Sequence, residues 1–263
     1  MINEPRGTDN GNPGSARPER FIKKGLGSCS PLTTPPELGG LHLGWYYNWR
    51  PFPKIGAVQD VEFVPMFWST PDVTPANLAA VDRSGATHVL GFNEPDMEGQ
   101  ANMTPEECLA LWPQLMTLRQ LLGSPAPAQA KWLEKFMPEA KRLGLRVDFV
   151  CIHRYPDISN PAAVDEVEGL IEDTYRKYDL PIWLTESGAA DVSAWRQNQV
   201  STPTPANAED YLTKLLAMLE RQPNVERYAW FADRVGKEYG LGTIFDPKAS
   251  QLTTMGEIYR DGG

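Results

Sequence analysis

The feature of this sequence that most limits its fold is a succession of eight short apolar runs separated by helical or loop-like stretches. They are KKGLGSC (23–29), LHLGWYYNW (41–49), EFVPMFW (62–68), THVLGFNEPD (87–96), QLLGSPA (120–126), VDFVCIHRY (147–155), PIWLTESG (181–188) and VERYAWFA (225–232). Such alternation signals a parallel sheet wrapped by helices, and eight is the number of strands that a closed barrel requires. A length of 263 residues fits one barrel, and a hydrophobic content of 41% is enough to fill its core. The expected architecture is a compact α/β (β/α)8 TIM barrel. A single catalytic unit over residues 21–263 should follow a flexible tail, residues 1–20, that is rich in Gly, Pro, Asn and charge.

The stretches between the runs carry start signals for helices. Thr74-Pro75 opens one that should end near Gly85, and Thr104-Pro105-Glu106-Glu107 reads as a capping box with proline at the first helical position. Asn160-Pro161 and Thr204-Pro205 repeat the proline signal, and residues 125–143 read as a further helix stopped at Gly144. The first two connections differ. Residues 30–40 and 50–60 are short and rich in Pro and Gly, so the first two helices should be missing or reduced to single turns.

Composition removes several classes of function. A net charge of −9 without a basic stripe argues against nucleic-acid binding. No apolar run approaches the ~18 residues of a membrane span. The N-terminal residues lack an apolar segment, so no secretory signal is expected in this chain. Cys29, Cys108 and Cys151 are too few and too scattered for a disulfide framework or a zinc site. There is no HExxH motif, no phosphate-binding Gly-Lys loop and no G-x-S-x-G elbow, so neither a metal nor any other cofactor is expected.

What remains is chemistry carried by carboxylates and aromatic rings. Glu94 ends the fourth run and Glu186 the seventh, which places them facing each other at the mouth of the barrel, where such folds carry their sites. Glycoside hydrolysis needs a pair of this kind: one carboxylic acid protonates the leaving oxygen, and the other carboxylate attacks the anomeric carbon. Trp45, Trp49, Trp68 and Trp230 lie at or near the ends of runs. Flat indoles beside hydrogen-bonding groups suit the C–H face of a sugar ring. Alternation should turn Trp45 and Trp49 to the same side, with Trp49 nearer the rim. His42 and His88 begin their runs and should be structural, whereas His153 falls near the top of its run beside Tyr155.

In order along residues 44–231, the stretches GWYYNW, FVPMFW, LGFNEPD, LGSPA, VDFVCIHRY, PIWLTESG and RYAWF resemble glycoside hydrolase family 128. These are endo-β-1,3-glucanases with a compact barrel, within a clan of retaining barrel glycosidases. The resemblance implies that Glu94 is the acid/base and Glu186 the nucleophile of a double displacement without metal. It implies that Asn93 bonds the sugar 2-hydroxyl, that Tyr155 or His153 orients Glu186, and that Trp230 forms the floor under the reacting ring. Tyr46, Asn48, Trp49 and Trp68 complete the expected sugar contacts. The chain departs from the family pattern at Arg154, where an aromatic is frequent, and at Ser187, where Phe is common. The expected partner is β-1,3-glucan, met by a monomer, and a polymeric substrate argues for work outside the cytoplasm. The alternatives are a hydrolase of another β-glycan and a sugar-binding barrel without catalysis.

Overall fold

The computed structural model describes residues 22–189, 203–235 and 241–263, so the expected tail over residues 1–20 lies outside the described residues. The strands are β1 (Lys24–Gly27), β2 (Trp45–Tyr47), β3 (Glu62–Phe63), β4 (His88–Val89), β5 (Leu121–Leu122), β6 (Val150–His153), β7 (Ile182–Ser187) and β8 (Val225–Phe231). Six form a parallel sheet in the order β3-β2-β1-β8-β7-β6, and β4 pairs with β5. Parallel bridges Met66–Leu90 and Gly123–Phe149 join the two sets, closing one barrel in sequence order.

The helices are α1 (Pro35–Gly39), α2 (Pro75–Asp82), α3 (Pro105–Leu115), α4 (Leu133–Arg142), α5 (Ala163–Tyr178), α6 (Pro205–Arg221) and α7 (Thr254–Asp261). The first connection thus holds one five-residue helix, and none lies between β2 and β3. Thr74, Thr104 and Thr204 each accept a backbone N–H at a helix N-terminus, as their spacing predicts. Two start signals were misplaced. Asn160 accepts from Ala162 N within a turn, and α5 begins only at Ala163. Residues 125–129 are loop rather than helix, because the Asp96 carboxylate takes the N–H groups of Ala128 and Gln129. There α4 begins at Leu133 and ends before Gly144, whose φ of +68° is left-handed. Among the described residues no helix is long and apolar enough to cross a membrane.

The barrel interior is crowded by large rings, Trp45 and Tyr47 of β2 among them. β1 presents glycine inward: a Cβ at Gly25 would stand 2.3 Å from the Trp45 ring, and one at Gly27 2.6 Å from the Trp49 ring. The space left over β1 takes Trp45, Tyr47 and Trp49, successive inward residues whose ring centroids lie 5.7 and 4.7 Å apart. Trp45 and Trp49 therefore do share a side. Trp183 and Phe149 meet this stack from across the barrel. The larger apolar core lies outside the strands, between barrel and helices.

Two polar clusters fasten the frame. At the bottom, buried Arg227 lies against Trp183 and Trp45 and bonds Glu62 at 2.7 Å, while His88 packs on Trp183 and sits 3.5 Å from Glu62. His88 is structural, as expected. Near the top of β1, buried Asp233 accepts from the Ser28 and Thr33 hydroxyls and from the backbone of Cys29 and Arg234. The ammonium of Lys24 donates to Tyr259, Arg260 and Gly262 carbonyls at the C-terminal end of α7, which ties the first strand to the last helix.

Burial works against charge on Glu62, but His88, Arg227 and Thr87 together hold its carboxyl well below the ordinary range. A carboxyl depressed by folding adds stability above its unfolded value of about 4.3 and loses it as the pH falls further. In urea titrations Glu62→Gln should cost about 3 kcal/mol at neutral pH. The difference from the parent should shrink as the pH drops below about 4.3; a difference that stays constant into strong acid would mean that the pair adds no ionic stability.

Candidate active site

The C-terminal ends of the strands surround a cavity of about 730 Å³ lined by Cys29, Trp49, Trp68, Asn93, Glu94, Met97, Gln100, Ala128, Gln129, His153, Arg154, Tyr155, Glu186 and Phe231. Glu94 follows β4 with a left-handed φ of +40°, pinned by its N–H to Ala126 O, and its side chain is 13% exposed. Glu186 extends inward from β7 and is 7% exposed. One oxygen of each carboxylate and a ring nitrogen of His153 all lie within 4.8 Å of one another.

Hydrogen bonds fix this group. Trp49 Nε1 donates to Glu186 Oε1 at 2.7 Å and Tyr155 OH to Oε2 at 2.8 Å. Tyr47 OH lies 3.3 Å from Oε1 and 2.9 Å from Thr185 O. His153 Nδ1 stands 3.1 Å from Glu94 and 3.6 Å from Glu186. Nδ1 thus shares one proton with Glu94, on whichever of the two carries it, and faces Glu186 beyond. The three are close enough to grip a cation, but the carboxylate oxygens named here already accept from ring and hydroxyl donors. The donor set therefore fits an acid/base cluster better than a metal site.

Burial raises the Glu186 carboxyl above the usual carboxylate range; His153 opposes this, Glu94 adds to it, and the Trp49 and Tyr155 bonds oppose it. Burial alone would push the His153 imidazolium down, but the facing Glu186 and Glu94 raise it above its ordinary value. Burial, then the Glu186 charge, drives the Tyr47 and Tyr155 phenols well up, so both remain neutral donors. Burial pushes the Cys29 thiol up to about 12, with Asp233 adding to the effect, which leaves no thiolate at the rim.

Seven of the ten residues expected at the site line this cavity: Glu94, Glu186, Asn93, Trp49, Trp68, His153 and Tyr155. Three do not. Trp230 faces the helix layer, where its Nε1 donates to Gly242 O and its ring packs near Tyr211 and Tyr259, so it is no floor for a ligand. Tyr46 also points outward, packing on Phe63. Asn48 is spent on a turn, donating to Phe52 O and accepting from Arg50 N. The first two errors are of phase: in a strand the neighbouring residue takes the opposite face. Counting by twos from Trp45 reaches Tyr47, and from Ala229 reaches Phe231, which lines the cavity in place of Trp230. Gln100, which receives the Asn93 amide at 3.3 Å, lies in a loop where no period marks it. Among the described residues Asn93 Oδ1 and His153 Nε2 are buried without a hydrogen-bond partner.

Residues 33–259 match the sequence family described as glycosyl hydrolase catalytic core. An endo-β-1,3-glucanase of glycoside hydrolase family 128, subgroup I, from Amycolatopsis mediterranei, solved with laminaritriose, is 34% identical. The match covers 92% of this chain and 100% of that one, with a TM-score of 0.82. A subgroup II endo-β-1,3-glucanase from Sorangium cellulosum is 25% identical over 92% of this chain and 98% of its own, with a TM-score of 0.77. Alkali-sensitive linkage protein 1 of Schizosaccharomyces pombe is 30% identical over 229 residues, 82% of this chain; the chain spans 40% of that protein's length.

The electrostatics of the cluster can be read directly. Followed by NMR, the His153 imidazole should titrate above about 6.5, and its midpoint should fall in Glu186→Gln, which removes the largest of the charges that raise it. An unchanged midpoint would mean that Glu186 carries no charge beside it.

Proposed function

The chain belongs to glycoside hydrolase family 128, within the broader glycosyl hydrolase catalytic core family, and on that premise we propose that it cuts β-1,3-glucan internally with retention of configuration. The paired carboxylates carry this reading. Retaining enzymes hold their carboxyl groups about 5–5.5 Å apart, and inverting enzymes roughly 6.5–9.5 Å to admit a water. One oxygen of each carboxylate lies within 4.8 Å of one on the other, a closeness that favours the first arrangement.

Glu186, held by the Trp49 and Tyr155 donors and the more buried of the two, is the nucleophile. Its oxygen bonds to the anomeric carbon as the glycosidic C–O bond breaks, and Glu94 gives its proton to the departing oxygen. Glu94, now a carboxylate, takes a proton from water, whose oxygen displaces Glu186 from the anomeric carbon. Both glutamates return to their starting states. His153, bonded to Glu94 and facing Glu186, offsets charge that moves between them.

The substrate class rests on the relatives solved with laminari-oligosaccharides and on the cavity wall. Trp68, Met97 and Phe231 offer apolar faces, and Asn93, Gln100 and Gln129 offer hydrogen bonds to the hydroxyl rim. Asn93 lines the cavity with an unpartnered oxygen, which favours the bond to the sugar 2-hydroxyl that the resemblance implies. Internal cleavage fits the first two connections, which carry no more than one five-residue helix between them.

Incubated with linear β-1,3-glucan, β-1,4-glucan and mannan, the protein should release short oligosaccharides from the first alone, with the β-anomer formed first by proton NMR. Glucose alone from the outset would favour an exo enzyme, and an initial α-anomer would refute retention. Glu94→Gln should lose about 10²–10⁴-fold on glucan but far less on an activated aryl glycoside, whose leaving group needs no proton. Binding of laminari-oligosaccharides with no cleavage at any pH would instead make this a sugar-binding barrel.

A further inference from the structure

We infer that Trp49 is a positioning residue for Glu186, its indole N–H fixing the carboxylate from the side opposite Tyr155. The inference rests on Glu186 being the nucleophile and goes beyond a sugar-stacking role for the ring. An indole N–H only donates, and at 2.7 Å it donates to Glu186 Oε1.

The ring has no freedom to turn elsewhere. Its outer edge occupies the space above Gly27, where a Cβ would stand 2.6 Å away. Tyr47 lies against it at 4.7 Å, and Phe231 meets it edge-on at 5.5 Å. Its backbone is left-handed, with φ of +56°, a rare state for a bulky residue. The Asn48 side chain supports that state by accepting from Arg50 N and donating to Phe52 O. Strain of this kind persists where the surroundings over-determine it, and it clusters at working sites. The turn, the strain and the glycine together aim one N–H at one oxygen.

With Trp49 on Oε1 and Tyr155 on Oε2, the carboxylate plane is held at both oxygens. The same donor stabilises the negative charge that attacks in the first step and re-forms when water releases the glycosyl group. The other titratable groups facing Glu186 are Glu94 after β4, His153 and Tyr155 at the end of β6, and Tyr47 on β2.

The test compares pH profiles of kcat/KM on a laminari-oligosaccharide for the parent, for Trp49→Phe, and for a protein carrying 3-benzothienylalanine at position 49. The last keeps the shape of the ring and lacks the N–H, so it answers even where Trp49→Phe folds poorly. Removing a donor from a carboxylate favours its protonated form, so the acid limb should move up by about one pH unit in both. The loss should fall mainly on kcat. An acid limb that stays in place, with the loss confined to KM, would leave Trp49 a sugar platform and overturn the inference. Glu186→Gln in parallel separates the two levels: if it is inactive, the nucleophile reading stands whatever Trp49 does, and if it turns over normally both fall together.

Discussion

The bare inner face of β1 is the constraint on which the rest of this barrel depends. Most strands of a β/α barrel contribute side chains to the interior, but here Gly25 and Gly27 contribute none, and β2 fills the space. Trp45 and Tyr47 build the lower and middle layers, and Trp49 at the top reaches the nucleophile candidate. Packing and site geometry are thus one structure. A side chain on either glycine would displace a tryptophan that the interior needs, and at Gly27 the disturbance would pass directly to Glu186.

The site itself is costly to hold together. Two carboxylates within 4.8 Å repel, and their partial burial adds a desolvation penalty. The protein offsets this with fixed groups, an indole, two phenols and an imidazole, two of them on strands and two within two residues of a strand end. Donors on rigid elements need no reorganisation as charge moves, which is the arrangement that electrostatic stabilisation of a transition state requires. The two glutamates differ in their exposure. Glu94, on a left-handed turn at the cavity, is 13% exposed, and Glu186, deeper, is 7% exposed.

Much of this was legible from sequence because the signals were periodic or compositional. Eight apolar runs counted correctly, the proline- and glycine-rich connections announced a reduced helical shell, and the two glutamates were placed by the ends of their runs. Phase within a strand was harder. Tyr46 and Trp230 are aromatic and near strand ends, like Tyr47 and Phe231, and only counting by twos from a residue of known facing separates them. Loop residues carry no period at all. Nothing in a string of letters says that Asn48 folds back on Phe52 and Arg50, that Gln100 comes to Asn93, or that Asp96 unwinds the start of a helix by taking two backbone N–H groups.

The bond from Lys24 to the last carbonyls of α7 has a consequence for how the chain reaches this state. β1 pairs with β8 through four residues on each strand, so the first strand gains one of its two neighbours only when the last is present. Its lysine likewise finds its acceptors only at residues 259–262. During synthesis, at roughly 5–20 residues per second, the opening strand must therefore wait with one open edge while the other strands emerge. Contacts of such long sequence separation form late and slowly. The glycines that make room for the tryptophans also leave that waiting edge with little apolar surface of its own, which limits what a neighbouring chain could seize before the circle closes.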